Sequence, residues 1–250
     1  MYPLYGQLGP IGYSRTPWYD VALDQLLGYS PIALYSPWHM DGLALNSSVA
    51  SWPDQSGNNY HAVQATGTAK PFYQLGADGY PELIFDGGDW LVSPLITNSI
   101  YYTIIAVVEY ASANNSAQVC INNGTASNGY GLDVRPVTGI TRRGVINNGI
   151  TFSHDGSYTL ARELWTATRV ANGYTRFYVN GALQSELLNA TQVPATPKNY
   201  TSIGARYTGS VITSSFIGAL RASTIFPTYL SDPDRIAVQS LIAQLSGVTL

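Results

Sequence analysis

The segment that most restricts the fold is the apolar run at residues 100–110, IYYTIIAVVEY. A strand with one face in water alternates apolar and polar residues, and this run does not, so it belongs in mid-sheet with both faces covered. It is far shorter than the roughly 20 apolar residues that span a bilayer, and no other segment approaches that length.

Strand-like segments separated by turn residues surround it. PIALYS, YHAVQAT, PELIFDG and DWLVSP precede the run, and AQVCIN, GYGLDVR, RELWTATRV, TRFYVNGALQSE, TSIGAR and SFIGALRASTIF follow it. Within TRFYVNGALQSE, Asn180 and Gly181 form the pair that favours a type I′ hairpin. Only 11% of residues are charged, against 24 Gly and 14 Pro, so the turns rest on Gly, Asn, Ser and Pro and long amphipathic helices are disfavoured. Roughly a dozen strands at this spacing describe two packed antiparallel sheets. A β-sandwich of 250 residues can be one domain, with enough core to need neither disulfide nor metal.

Helix signals occur near both ends. In TPWYDVALDQLLG, Thr16 and Pro17 suit a helix start and Gly28 its exit, with Val21, Leu23, Leu26 and Leu27 available to face a partner. Near the C-terminus, Ser231 can cap, Pro233 sits in the first turn, and Ile236, Leu241, Ile242 and Leu245 supply an apolar face. Residues 1–30 read as an N-terminal arm ahead of a domain at 31–250. Tyr2, Tyr5, Tyr13, Trp18 and Tyr19 give this arm a composition enriched at interfaces, suited to docking on another subunit. Packing on its own domain is the alternative.

Several functions are disfavoured. The net charge is -3 and the basic residues are scattered, so no nucleic-acid footprint appears, and the adjacent Arg142 and Arg143 read as a solvated pair. The single cysteine, Cys120, reads as a buried apolar strand residue. MYPLYGQLGP contains no basic leader followed by an apolar run, so the expectation is synthesis in the cytoplasm without signal peptide or membrane span.

Four motifs follow in order: SWPDQSGNNYHAVQ at 51–64, FDGGDWL at 85–91, TRFYVNGALQS at 175–185 and TSIGARYTGSVITSSFIGALRASTIFPTYLSD at 201–232. Together they resemble the concanavalin A-like lectin/glucanase superfamily, in particular its laminin G-like branch, over about residues 31–246. The resemblance implies an all-β fold: a two-sheet antiparallel jelly-roll sandwich with an N-terminal arm and a short C-terminal helix. Because that branch occurs in phage virion proteins, it also implies a structural or accessory bacteriophage protein, as head decoration or tail fibre. Such a protein would reside in the virion, form a homo-oligomer, hold other virion proteins through its arm and display a lectin-like surface to host glycans. A free carbohydrate-binding module is the alternative. In either setting Trp38, Trp52, Trp90 and Tyr207 are the candidate sugar-stacking rings, with core packing the competing role for Trp52, Trp90 and Trp165.

The glucanases of the superfamily carry two glutamates and an aspartate at alternate positions of one strand, pointing into one cleft. Here Glu82, Glu109, Glu163 and Glu186 stand alone, so catalysis of that kind is not expected. His39, His61 and His154 lack metal-ligand spacing. No cofactor is implied beyond calcium, for which Asp54, Asp86 and Asp89 are the candidates by resemblance, against a role in capping their own turns.

Overall fold

The computed structural model describes residues 17–40, 42–94, 99, 101–111, 118–123, 130–137, 140–147, 150–153, 160–170, 173–188, 200–207 and 211–250. The apolar run becomes the strand Tyr102–Tyr110, flanked by Glu163–Arg169 and Ile217–Phe226, both antiparallel to it. Among the described residues this first sheet continues outward through Tyr174–Val179 to Ala182–Leu188 on one side. On the other it runs through Pro81–Asp86, Phe72–Leu75 and Ser47–Ser48, while Ala33–Tyr35 also pairs with Ile217–Phe226.

A second sheet lies across the core. Its order is Ile150–Ser153, Ile140–Asn147, Tyr130–Val137, Gln118–Asn123, Tyr200–Ile203, Leu91–Pro94, Ala62–Val63 and Ser51–Trp52. The fold is therefore the two-sheet antiparallel sandwich expected. Phe72–Leu75, Ile140–Asn147 and Ile150–Ser153 are strands that the sequence reading did not single out.

The central strand shows why its sequence lacks alternation. Ile104, Ala106, Val108 and Tyr110 join the core between the sheets, with Phe85, Ile121, Leu132, Val145, Trp165, Phe177 and Phe216. Ile105 and Val107 point the other way, into a second core with Leu164, Ala222 and Phe226. Two helices cover that outer face, Pro17–Leu27 and Asp232–Ser246, through Tyr19, Ala22, Leu26, Val238, Ile242 and Leu245. Burying one such aliphatic side chain contributes about 1.5 to 3 kcal/mol, so both faces of the strand drive folding.

The N-terminal helix thus packs on its own domain, the alternative that the sequence left open for this segment. Tyr19, 1% exposed, and Leu26, 0% exposed, are spent there, so the sandwich takes in residues from 17 onward rather than beginning at 31. Tyr2, Tyr5 and Tyr13 lie outside the described residues. The C-terminal helix starts as expected, with the Ser231 hydroxyl accepting from the Asp234 amide at 3.3 Å, and ends on Gly247 in the left-handed region at φ 68°. Ile236, expected on its buried face, is instead exposed. The hairpin at Asn180 and Gly181 has φ of 47° and 81°, the two positive values that a type I′ turn requires.

An arginine adds to these apolar contacts at the joint between helices and sheet. Arg221, buried at a bulge in its strand, donates to both carboxylate oxygens of Asp78 at 2.6 and 2.7 Å and to Glu82 at 3.0 Å. It also donates to the Ser246 carbonyl at 3.0 Å, which ties down the last turn of the C-terminal helix. A Cβ on Gly76 would sit 2.1 Å from this guanidinium, which explains a glycine there. Arg143, expected in solvent, is buried and paired with Glu163 across the sandwich. That correction follows from strand parity: Val145 points into the core between the sheets, so Arg143, two residues away, points there too.

Candidate functional site

The two sheets differ on their outer faces. Helices cover the first, whereas the outward positions of the second can be read from alternation. Leu132 and Val134 enter the core, which turns Asp133 outward; Ile121 and Ile203 enter it, which turns Asn122 and Ser202 outward; and Ala62 enters it, which turns Val63 outward. This face carries small and polar groups at its centre. Gly131 belongs to it, and a Cβ there would lie 2.2 Å from the Ile121 carbonyl oxygen.

Beside that centre three aromatic rings cluster. Trp90 stacks on Tyr207 with ring centroids 5.4 Å apart and planes 17° from parallel, and Tyr207 meets Tyr200 at 4.6 Å and 56°. All three are partly exposed, and Val63, half exposed, lies on the same face. Burial, then the neighbouring Tyr207, raises the pKa of the Tyr200 hydroxyl, so this group stays protonated at neutral pH and can donate a hydrogen bond. A partly exposed aromatic cluster that carries a hydroxyl donor suits a ligand with apolar C–H faces and polar edges.

Of the rings expected to stack on sugars, the structure joins Trp90 and Tyr207 and separates the other two. Trp52 is 0% exposed and packs at 5.5 Å on Tyr35 inside the core. Its strand alternates an exposed Ser51 with a buried position, and Trp52 takes the buried one. Trp38 lies on the helix side, where it donates from Nε1 to the Leu245 carbonyl at 2.8 Å and packs against Trp18, Tyr19 and Tyr80. Trp18 and Tyr19 therefore contribute to this intramolecular cluster. Tyr200 was not among the candidates. Its signal was its position opposite the end of the DWLVSP strand, which only the pairing of Tyr200 with Pro94 reveals.

The aspartates proposed as calcium ligands serve their own turns. Asp54 accepts from the amides of Leu34, Ser56 and Tyr60 at 2.9 to 3.0 Å and meets the Ser56 hydroxyl at 2.8 Å. In the next motif Asp86 accepts from the Gly88 amide at 2.8 Å and Asp89 from the Asp86 amide at 2.9 Å. Burial, with the charge of Asp86 adding to it, pushes the Asp89 pKa up to about 6. Among the described residues no three His, Cys, Asp or Glu side chains are placed to share a metal ion. His61 accepts from the Asp54 amide at 3.0 Å, so it too supports the loop. His154 lies outside the described residues.

Each glutamate is engaged by an arginine. Arg221 and Arg162 hold Glu82 at 3.0 and 3.2 Å, and Arg162 holds Glu109 at 2.5 Å. Arg143 pairs with Glu163, which also accepts from Trp165 Nε1 at 2.8 Å, and Arg176 pairs with Glu186. Arg162 also meets Asp78 at 3.1 Å, so Asp78, Glu82 and Glu109 share one guanidinium.

No protein-family model and no curated protein matches the sequence. Solved structures do share its fold. Domain 4 of AbnA, a GH43 extracellular arabinanase from Geobacillus stearothermophilus, in complex with arabinotriose, superposes with a TM-score of 0.60 at 14% identity, over 85% of this chain and 98% of that one. The binding domain of botulinum neurotoxin serotype D gives 0.57 at 18% identity over 88% of this chain. Trypanosoma rangeli sialidase in complex with sialic acid gives 0.58 at 13% identity over 91% of this chain. The chain spans 52% of the neurotoxin domain's length and 38% of the sialidase's. The chain thus shares the two-sheet antiparallel β-sandwich fold of these structures.

Proposed function

We propose that this chain is a non-catalytic carbohydrate-binding β-sandwich that presents Trp90, Tyr207 and Tyr200 to the apolar faces of sugar rings. The observation that carries the reading is the cluster of three partly exposed rings beside the second sheet. Arginine pairing at all four glutamates favours binding over hydrolysis, because a glycosidase needs two carboxylates flanking the scissile bond. The sandwich shared with a domain crystallised in complex with arabinotriose adds support. The test is a glycan array probed with the wild-type protein, W90A and Y207A. Signal on a coherent set of oligosaccharides, lost in both variants while they remain folded, is the expected result; binding that survives both substitutions, or no binding at all, overturns the reading.

As the biological setting we propose the bacteriophage virion, with residues 1–16 engaging other virion proteins and the sandwich displayed as a homo-oligomer. The ordered motifs shared with laminin G-like domains support this, as does the aromatic content of that segment, Tyr2, Tyr5 and Tyr13. Mass spectrometry of purified particles tests it: the chain at high copy is expected, and its absence would leave a free module.

A further inference from the structure

Two buried polar side chains spend their hydrogen bonds on the backbone that carries the rings. Gln64, 4% exposed, donates from Nε2 to the Trp90 carbonyl at 3.0 Å, while its Oε1 accepts from the Thr66 amide at 2.9 Å. The Trp90 amide is held as well, donating to the Ala69 carbonyl at 3.1 Å. Across the platform, Ser202, 0% exposed, donates from Oγ to the Ala205 carbonyl at 2.7 Å and accepts from the Tyr207 amide at 3.3 Å. Gly204, at φ 83°, makes this tight return possible, and a Cβ there would strike the Phe85 ring at 2.3 Å.

A buried amide or hydroxyl is costly unless satisfied, and a strand position is most simply filled by an apolar residue. Gln64, just after the strand Ala62–Val63, instead reaches the Trp90 carbonyl, and Ser202, within Tyr200–Ile203, reaches the backbone on either side of Arg206, so each bonds a segment that bears a stacked ring. We infer that Gln64 and Ser202 are positioning residues which hold Trp90 and Tyr207 as a preset platform, so that the ligand meets rings already ordered. The inference rests on the carbohydrate reading for its ligand, but the order of the rings can be measured without one. Preorganisation of this kind raises affinity because the ordering cost is met on folding and not on binding.

The test uses Q64M, which fills similar space without either hydrogen bond, and S202A, alongside W90F to assign the Trp90 indole signal. In the ligand-free protein, the expected result is a Trp90 indole NMR resonance that broadens or splits in both variants, with the core Trp165 resonance unchanged. Titrated with an oligosaccharide identified on the array, each variant is expected to lose affinity about tenfold, which is about 1.4 kcal/mol. Adding W90A to Q64M should cost little more than W90A alone, because both act through one ring. A sharp, unshifted Trp90 signal in both variants overturns the positioning role whatever the ligand. A loosened Trp90 in a protein that binds no glycan overturns the carbohydrate reading and leaves the positioning role standing.

Discussion

The outer faces of the two sheets have been put to opposite uses. On the first, Ile105, Val107, Leu164, Ala222 and Phe226 are apolar and two helices seal them. On the second, the outward residues of the central strands are Asn122, Asp133 and Ser202, polar and buried, with partly exposed rings beside them and, among the described residues, no helix packed on them. A sandwich needs only its inner faces to form a core. Covering the first face therefore adds stability, while beside the second the partly exposed Trp90, Tyr200 and Tyr207 are what a ligand can reach. Substitutions on the two faces should accordingly separate folding from binding.

The largest effect is expected at the helix joint. Arg221→Ala leaves Asp78 and Glu82 beside an emptied buried site, and losing one partner of a buried ion pair costs about 3 to 5 kcal/mol. Chemical denaturation should show that loss; a change under about 1 kcal/mol would mean that the joint is ornamental. Leu26→Ala, under the same helix layer, should cost about 2 to 5 kcal/mol through cavity formation, while oligosaccharide affinity per folded molecule stays at the wild-type value. A parallel loss of affinity would break the separation between the faces.

On the second face the signs reverse. Tyr207→Ala should cost about 1 kcal/mol in stability, since its ring is partly exposed, yet abolish most glycan binding. Smallest is a pH effect at the turn before Trp90. Asp89 stays protonated in the folded chain up to about pH 6, while in the unfolded chain it ionises near 3.8, so the folded state holds more protons between these values. Stability should therefore fall as pH rises from about 4 to about 6 and level off beyond, and Asp89→Asn should flatten that slope in melting curves.

Most of the fold was legible in the residues because its signals are local. The uninterrupted run at Tyr102–Tyr110, the Asn180–Gly181 turn and the Ser231 cap each act within a few residues of themselves. Weaker strands such as Ile150–Ser153 were not, since a short segment becomes a strand only when a neighbour pairs with it. The candidate site was half legible. Trp90 and Tyr207 stood out as loop aromatics, but Trp52 has the same chemistry and is buried.

By itself, then, the sequence determined an all-β sandwich, because hydrophobic periodicity and turn chemistry are carried by consecutive residues. Only the tertiary structure decided that the Pro17–Leu27 helix closes one face and that Arg143 turns inward to Glu163. It alone brought Trp90, Tyr200 and Tyr207 together, because their adjacency depends on strand order and register across residues far apart in the chain.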